Sequence, residues 1–192
     1  MNVYRLFWDE FSGWYLEMVK PEYGKPIDKV TYQATFHFFD VLLKMLHPFM
    51  PFITEEIFCT LQDEEESIMI SSWPAYTEEW NFAADEKAIE TIKEAVRAIR
   101  TVRTSMNVPP SRRAKVFVVS DSDEIRGIFE NGKVFFATLA FAAEVTVQAD
   151  KEGIADDAVS AVIPGANTYI PFADLVDIEK EKERLHKEEK RL

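Results

Sequence analysis

The run Asn107-Val108-Pro109-Pro110-Ser111 separates two different periodicities, and it constrains the fold more than any other feature of the chain. Two consecutive prolines remove two backbone donors and push the preceding residue out of the α region, so no regular element passes through. Before the break, apolar residues recur at helical spacing. After it they fall in short runs rich in Val and Ile. A mainly α chain is expected, with a helical portion over 1–107 and a small α/β portion over 108–173.

The helical portion reads as follows. Val3–Val19 carries an apolar stripe of helical period, ended by Pro21. Within it Leu6–Lys20 (LFWDEFSGWYLEMVK) sets Phe7, Trp8, Phe11, Trp14 and Tyr15 beside Asp9, Glu10, Glu17 and Lys20, giving an unusually aromatic inner face. Asp28 is a good N-cap for a second helix through Phe36, Phe39, Leu42, Leu43 and Leu46, stopping before Pro48. A third helix starts at Pro51 or Thr54 and runs to about Gln62. Ile68–Ile70 reads as a short extended piece, followed by the breaker Trp73-Pro74. Asp85–Ser105 is the longest helix, with Ala88, Ile92, Ala95, Val96, Ile99 and Val102 on its apolar face.

Beyond the prolines, Ala114–Val119, Val145–Val147, Val159–Ile163 and Tyr169–Pro171 read as strands. Pro164-Gly165-Ala166-Asn167 marks a hairpin between the last two. Asp123–Phe129 and Val134–Ala140, separated by Asn131-Gly132, should form one or two helices. From Asp174 onward Glu, Lys and Arg dominate. Ile178, Leu185 and Leu192 repeat every seven residues, while Lys182 and Glu189 hold the other seam position. The 174–192 segment therefore reads as the start of a coiled coil.

A formal net charge of −12 argues at first against a nucleic-acid partner. The charges are segregated, however. Lys93, Arg97, Arg100, Arg103, Arg112, Arg113 and Lys115 fall between Thr91 and Val118 with only Glu94 opposing them, whereas the acids gather at Asp63–Glu66, Glu78–Glu79, Asp121–Glu124 and Asp156–Asp157. Arg97, Arg100 and Arg103 are spaced i, i+3, i+6, a gently spiralling basic stripe on one helix. Such a stripe is either a solvated face paired with nearby acids or a surface for RNA. Guanidinium planes suit phosphate and base-stacking contacts, which favours RNA.

The single cysteine, Cys59, excludes an internal disulfide and reads as a core thiol. His37, His47 and His186 are too scattered for a metal site, and His47 reads as the cap of a helix C-terminus. Glu55 and Glu56 complement a helix dipole more simply than they form an acid/base pair. Neither a Gly-rich phosphate loop nor a nucleophile elbow is present. With no leading signal segment and no apolar run near 18 residues, a cytoplasmic protein without a membrane partner is expected.

Two stretches carry a resemblance: Leu6–Lys20, and Leu46–Leu61, reading LHPFMPFITEEIFCTL. Together they closely resemble the anticodon-binding region of the class I aminoacyl-tRNA synthetases for branched aliphatic amino acids, the valyl-tRNA synthetases in particular. Val96–Ser111 (VRAIRTVRTSMNVPPS) looks like that family's last bundle helix and its Pro-Pro exit. Ile170–Leu185 (IPFADLVDIEKEKERL) looks like its entry to the C-terminal coiled coil, which favours the valyl over the isoleucyl branch. Phe58 stands where the family commonly has Trp.

The resemblance implies an anticodon-type helical bundle lacking at least one preceding helix, then a small α/β subdomain and a coiled coil. It also implies docking of the anticodon stem-loop of tRNA(Val) for a catalytic domain of the same parent chain, which would use ATP and Mg. The His-x-Gly-His and Lys-Met-Ser-Lys-Ser motifs of such domains are missing, so no catalytic residue, cofactor site or metal site is expected in these residues. The tRNA-binding candidates are Arg97, Arg100, Arg103, Arg112, Arg113, Lys20 and Trp14. An isoleucyl counterpart and a non-enzymatic protein-interaction module are the alternatives. A truncated bundle should also self-associate, through its aromatic face or by pairing of the Asp174–Leu192 tail.

Overall fold

The structure is a computed structural model that describes residues 2–62 and 67–175. The expected coiled coil beyond Leu175 and the acidic run 63–66 lie outside the described residues. The chain divides into two compact units, Met1–Asn81 and Phe82–Leu192. The long helix therefore groups with the sheet, whereas the sequence reading set the boundary at the prolines.

In the first unit the aromatic segment is helical throughout, but not uniformly α. Short α-helical turns, α1 (Asn2–Arg5) and α2 (Leu16–Val19), flank a π-helix over Leu6–Tyr15. Its wider i→i+5 coil brings the Leu16 N–H to the Phe11 carbonyl. Gly13 fits this geometry because a Cβ there would sit 3.3 Å from the Trp8 carbonyl oxygen, five residues earlier. The segment lays its rings on α3 (Lys29–Leu46): Phe11 stacks on Phe39 at 5.8 Å, and Tyr15 meets Phe38 edge-on at 5.4 Å. The Tyr15 hydroxyl and Thr35 Oγ1 are hydrogen-bonded at 3.1 Å.

Helix α3 starts where expected, with Asp28 Oδ1 accepting the Thr31 N–H at 2.9 Å. Its C-cap is His47, whose Nδ1 lies 2.8 Å from Thr54 Oγ1 on α4 (Pro51–Leu61). Leu43, Phe58 and Ile68 form the core here, with Phe39 and Ile57 packed around them. Two sequence expectations are corrected in this unit. Ile68–Ile70 is a 3-10 turn capped by Ser67, not an extended piece. Cys59 is exposed, because Phe58 takes the inward position and the neighbouring residue then faces out.

In the second unit α5 (Ala83–Ser105) buries Ile92, Ala95, Val96 and Ile99. The sheet order is β2-β1-β4-β3, from β1 (Ala114–Val119), β2 (Ala142–Gln148), β3 (Val159–Ile163) and β4 (Ala166–Ile170). β1 and β2 run parallel, joined by α6 (Asp123–Leu139). That crossover is what a parallel pair requires. β4 pairs antiparallel with β1 and, through the expected Pro164-Gly165 turn, with β3. α6 runs unbroken through Asn131-Gly132, and Gly132 marks a helix contact instead of a turn, since a Cβ there would collide with Ile92 Cδ1 on α5. A final turn, α7 (Phe172–Leu175), buries Leu175.

Candidate nucleic-acid interface

The five candidate arginines all belong to the second unit, around the place where α5, the proline loop and the end of α6 meet. Their side chains are engaged with the fold. Arg97, on the exposed face of α5, pairs with Glu94 at 2.9 Å and Glu90 at 3.9 Å. Arg100 Nε donates to the Leu139 carbonyl at 2.7 Å. Arg113 Nη1 donates to the carbonyls of Ala137 at 3.0 Å and Ala142 at 3.3 Å. Ala137 and Leu139 lie in the last turn of α6, where carbonyls lack intrahelical partners and the helix dipole is negative. Arginines from two other elements thus cap one helix.

Arg112 holds the last short helix in the same way, donating to Asp174 O at 2.7 Å and Ala173 O at 2.9 Å. Asp174 in turn accepts the Lys115 N–H through Oδ2 at 2.9 Å. Arg103 departs most from the expected open stripe: it is only 4% exposed. Its Nη2 donates to Pro109 O at 3.0 Å and Arg112 O at 2.6 Å, pinning the proline loop to α5. Its guanidinium lies 5.5 Å from the centre of the Phe141 ring. Burial lowers its pKa, yet a guanidinium remains charged at any physiological pH.

Of these arginines, Arg100 and Arg103 border a recess of about 240 Å³, lined also by Thr104, Val108, Pro110 and Phe141. Phe141 has φ +54°, a left-handed conformation costly for a bulky residue. The sequence reading missed Thr104, Val108, Pro110 and Phe141 as neighbours of the arginines. Nothing in a linear pattern signals that a turn after α6 returns Phe141 beneath Arg103.

Lys20 and Trp14 lie in the first unit. Lys20 is exposed at the end of α2 and pairs with Glu17 at 3.4 Å. Trp14 is half-buried within the π-helix. The structure brings the arginines together and keeps these two candidates in a separate compact unit. Among the described residues no group of three or more His, Cys, Asp or Glu side chains could hold a metal. No described helix is long and apolar enough to cross a membrane.

The chain belongs to the family described as the anticodon-binding domain of tRNA ligase, which it matches over residues 1–118. The match takes in the first unit, α5 with its arginines, the proline loop and most of β1. Among individual proteins the chain is similar to the valine–tRNA ligase of Clostridium tetani, with 47% identity over 190 residues, covering 96% of this chain and 21% of that protein. It is 44% identical to the Clostridium perfringens valine–tRNA ligase, over 100% of this chain and 22% of the relative. The Bacillus subtilis valine–tRNA ligase is 33% identical, over 97% and 22% respectively. The chain spans about a fifth of the length of these relatives.

Proposed function

We propose that this chain is the portion of a longer, cytoplasmic valine–tRNA ligase that holds the anticodon stem-loop of tRNA(Val). The bound tRNA would then present its acceptor end to a catalytic domain elsewhere in that protein. One observation carries the reading: the anticodon-binding family match over residues 1–118, extended by valine–tRNA ligases that align with 96–100% of the chain. The arginines give it a chemical basis. Arg97, Arg100, Arg112 and Arg113 hold positive charge at defined positions, where phosphates would meet them in register. Lys20 and Trp14 offer a second, separate contact region. ATP and Mg²⁺ belong, in this reading, to the catalytic domain.

The test is filter binding of the 192-residue chain to transcripts of tRNA(Val) and tRNA(Ile), at about 50 and 200 mM salt. Binding should favour tRNA(Val) and weaken steeply with salt, as counterion release from phosphates demands. Absence of tRNA binding would overturn the reading and leave a protein-interaction module as the alternative. A preference for tRNA(Ile) would move the assignment to the isoleucyl branch.

A further inference from the structure

We propose that the recess between α5, the proline loop and the turn after α6 seats one nucleotide of single-stranded RNA. Its phosphate would lie against Arg100 and Arg103, and its sugar or base against Phe141, Val108 and Pro110. The proposal rests on the tRNA-binding reading above and names the part of the surface that would do the binding.

Three observations carry it. The recess holds about 240 Å³, several times the roughly 30 Å³ that one water occupies in the liquid, so it is more than a hydration site. Arg103 is almost wholly buried, yet both of its hydrogen bonds leave from Nη2; among the described residues neither Nε nor Nη1 has a hydrogen-bond partner. A buried cation with open donors beside a recess fits an anion. Finally, the lining mixes two kinds of residue, polar (Arg100, Arg103 and Thr104) and apolar (Val108, Pro110 and Phe141), with the Arg103 guanidinium lying over the Phe141 ring. Phe141 is held in a strained conformation at that place, as residues at binding sites often are.

This mixture selects the ligand. A free inorganic anion would use the guanidiniums and leave the apolar residues in water. A carboxylate side chain would do much the same. A duplex shows its phosphates on a convex surface and keeps its bases stacked inside. An unstacked nucleotide uses both kinds at once, because it joins a phosphate to a flat ring and a sugar.

The experiment places a carboxylate in the recess without touching the arginine contacts. Thr104→Glu does this, and Thr101→Glu, one turn earlier, equally exposed but outside the recess lining, controls for charge alone. Binding of each chain to a tRNA(Val) transcript is measured across a salt series. Thr104→Glu should weaken binding about tenfold and reduce the salt slope by about one, as loss of one phosphate contact does. Thr101→Glu should change binding by less than about twofold, since it lies outside the recess lining and its charge is screened by salt. Equal effects, or none from Thr104→Glu, would overturn the recess.

A phosphate scan gives an independent measurement. Anticodon stem-loops carrying one neutral methylphosphonate at a time should include a position that weakens the unaltered chain about tenfold and leaves Thr104→Glu unaffected. A scan in which every position weakens both proteins equally would also overturn the proposal. If Thr104→Glu fails to fold by circular dichroism, Pro110→Glu, altered from the exposed loop side, takes its place. Displacement of tRNA by poly-glutamate as readily as by single-stranded RNA would assign the recess to an acidic protein segment instead. Failure of the unaltered chain to bind any tRNA would instead overturn the tRNA-binding reading.

Discussion

Asp28 shows how far one residue can be read from its neighbours. An aspartate ahead of an apolar-periodic run is an N-cap, and the carboxylate does accept hydrogen bonds from Thr31. Those bonds hold its pKa below the ordinary 3.8. A depressed carboxylate contributes stability that is present above the ordinary pKa and lost as pH falls through the folded value. The α3 N-terminus should therefore keep its amide protection down to about pH 4 and lose it below. Asp28→Asn, which caps without titrating, should abolish that pH dependence in hydrogen exchange. Cys59 was less legible, since periodicity alone cannot say which of two adjacent residues, Phe58 or Cys59, faces in. Desolvation and the neighbouring Glu55 raise its pKa above the ordinary 9.0, with Sγ donating to Glu55 Oε1 at 3.5 Å. Alkylation by iodoacetamide should accordingly stay slow until well into alkaline pH. Glu55→Gln should shift the profile to lower pH, because the repelling charge is gone; an unchanged profile would deny the coupling. Arg103 was misread for a related reason: a stripe at i, i+3, i+6 drifts around the helix, and its last member turns inward under the proline loop.

Among the elements, β1 and β3 stand at the bounds the sequence indicated, because Val- and Ile-rich runs between breakers leave little choice. The π-helix was invisible, since its i→i+5 bonds leave the apolar spacing looking helical. Asn131-Gly132 resembled a turn, yet Gly132 serves a helix contact. Adding a Cβ there places it against Ile92 Cδ1, a movable side-chain end, and 3.0 Å from Ile92 Cγ1. Gly132→Ala gains helix propensity of up to about 1 kcal/mol but overpacks a site where such strain costs about 1–3 kcal/mol. The net change should be a loss of stability in urea or thermal melts. Ile92→Val, which removes Cδ1, should recover part of that loss when combined with Gly132→Ala. Strict additivity of the two changes would show that the contact is not the cause.

Over the whole molecule, charge and apolar surface are distributed unevenly. The first unit exposes Trp8, Phe49, Phe52, Met69, Ile70 and Trp73, and large apolar side chains of this kind promote association where they adjoin one another. Self-association should appear in light scattering as concentration rises. It should be strongest near pH 4.8, where the net charge of the chain vanishes and electrostatic repulsion with it. A monomer at every concentration and pH would show that these side chains do not form a cohesive patch. The arginines of the second unit have a different consequence for recognition. A free arginine surrenders about 2 kcal/mol of rotamer freedom when it is immobilised, and that loss is normally charged to the complex. Here Arg100, Arg103, Arg112 and Arg113 are already tethered to carbonyl oxygens of the fold. Their disorder is largely lost when the polypeptide folds, so a phosphate bound there, as proposed, would meet charges with little rotamer freedom left to lose.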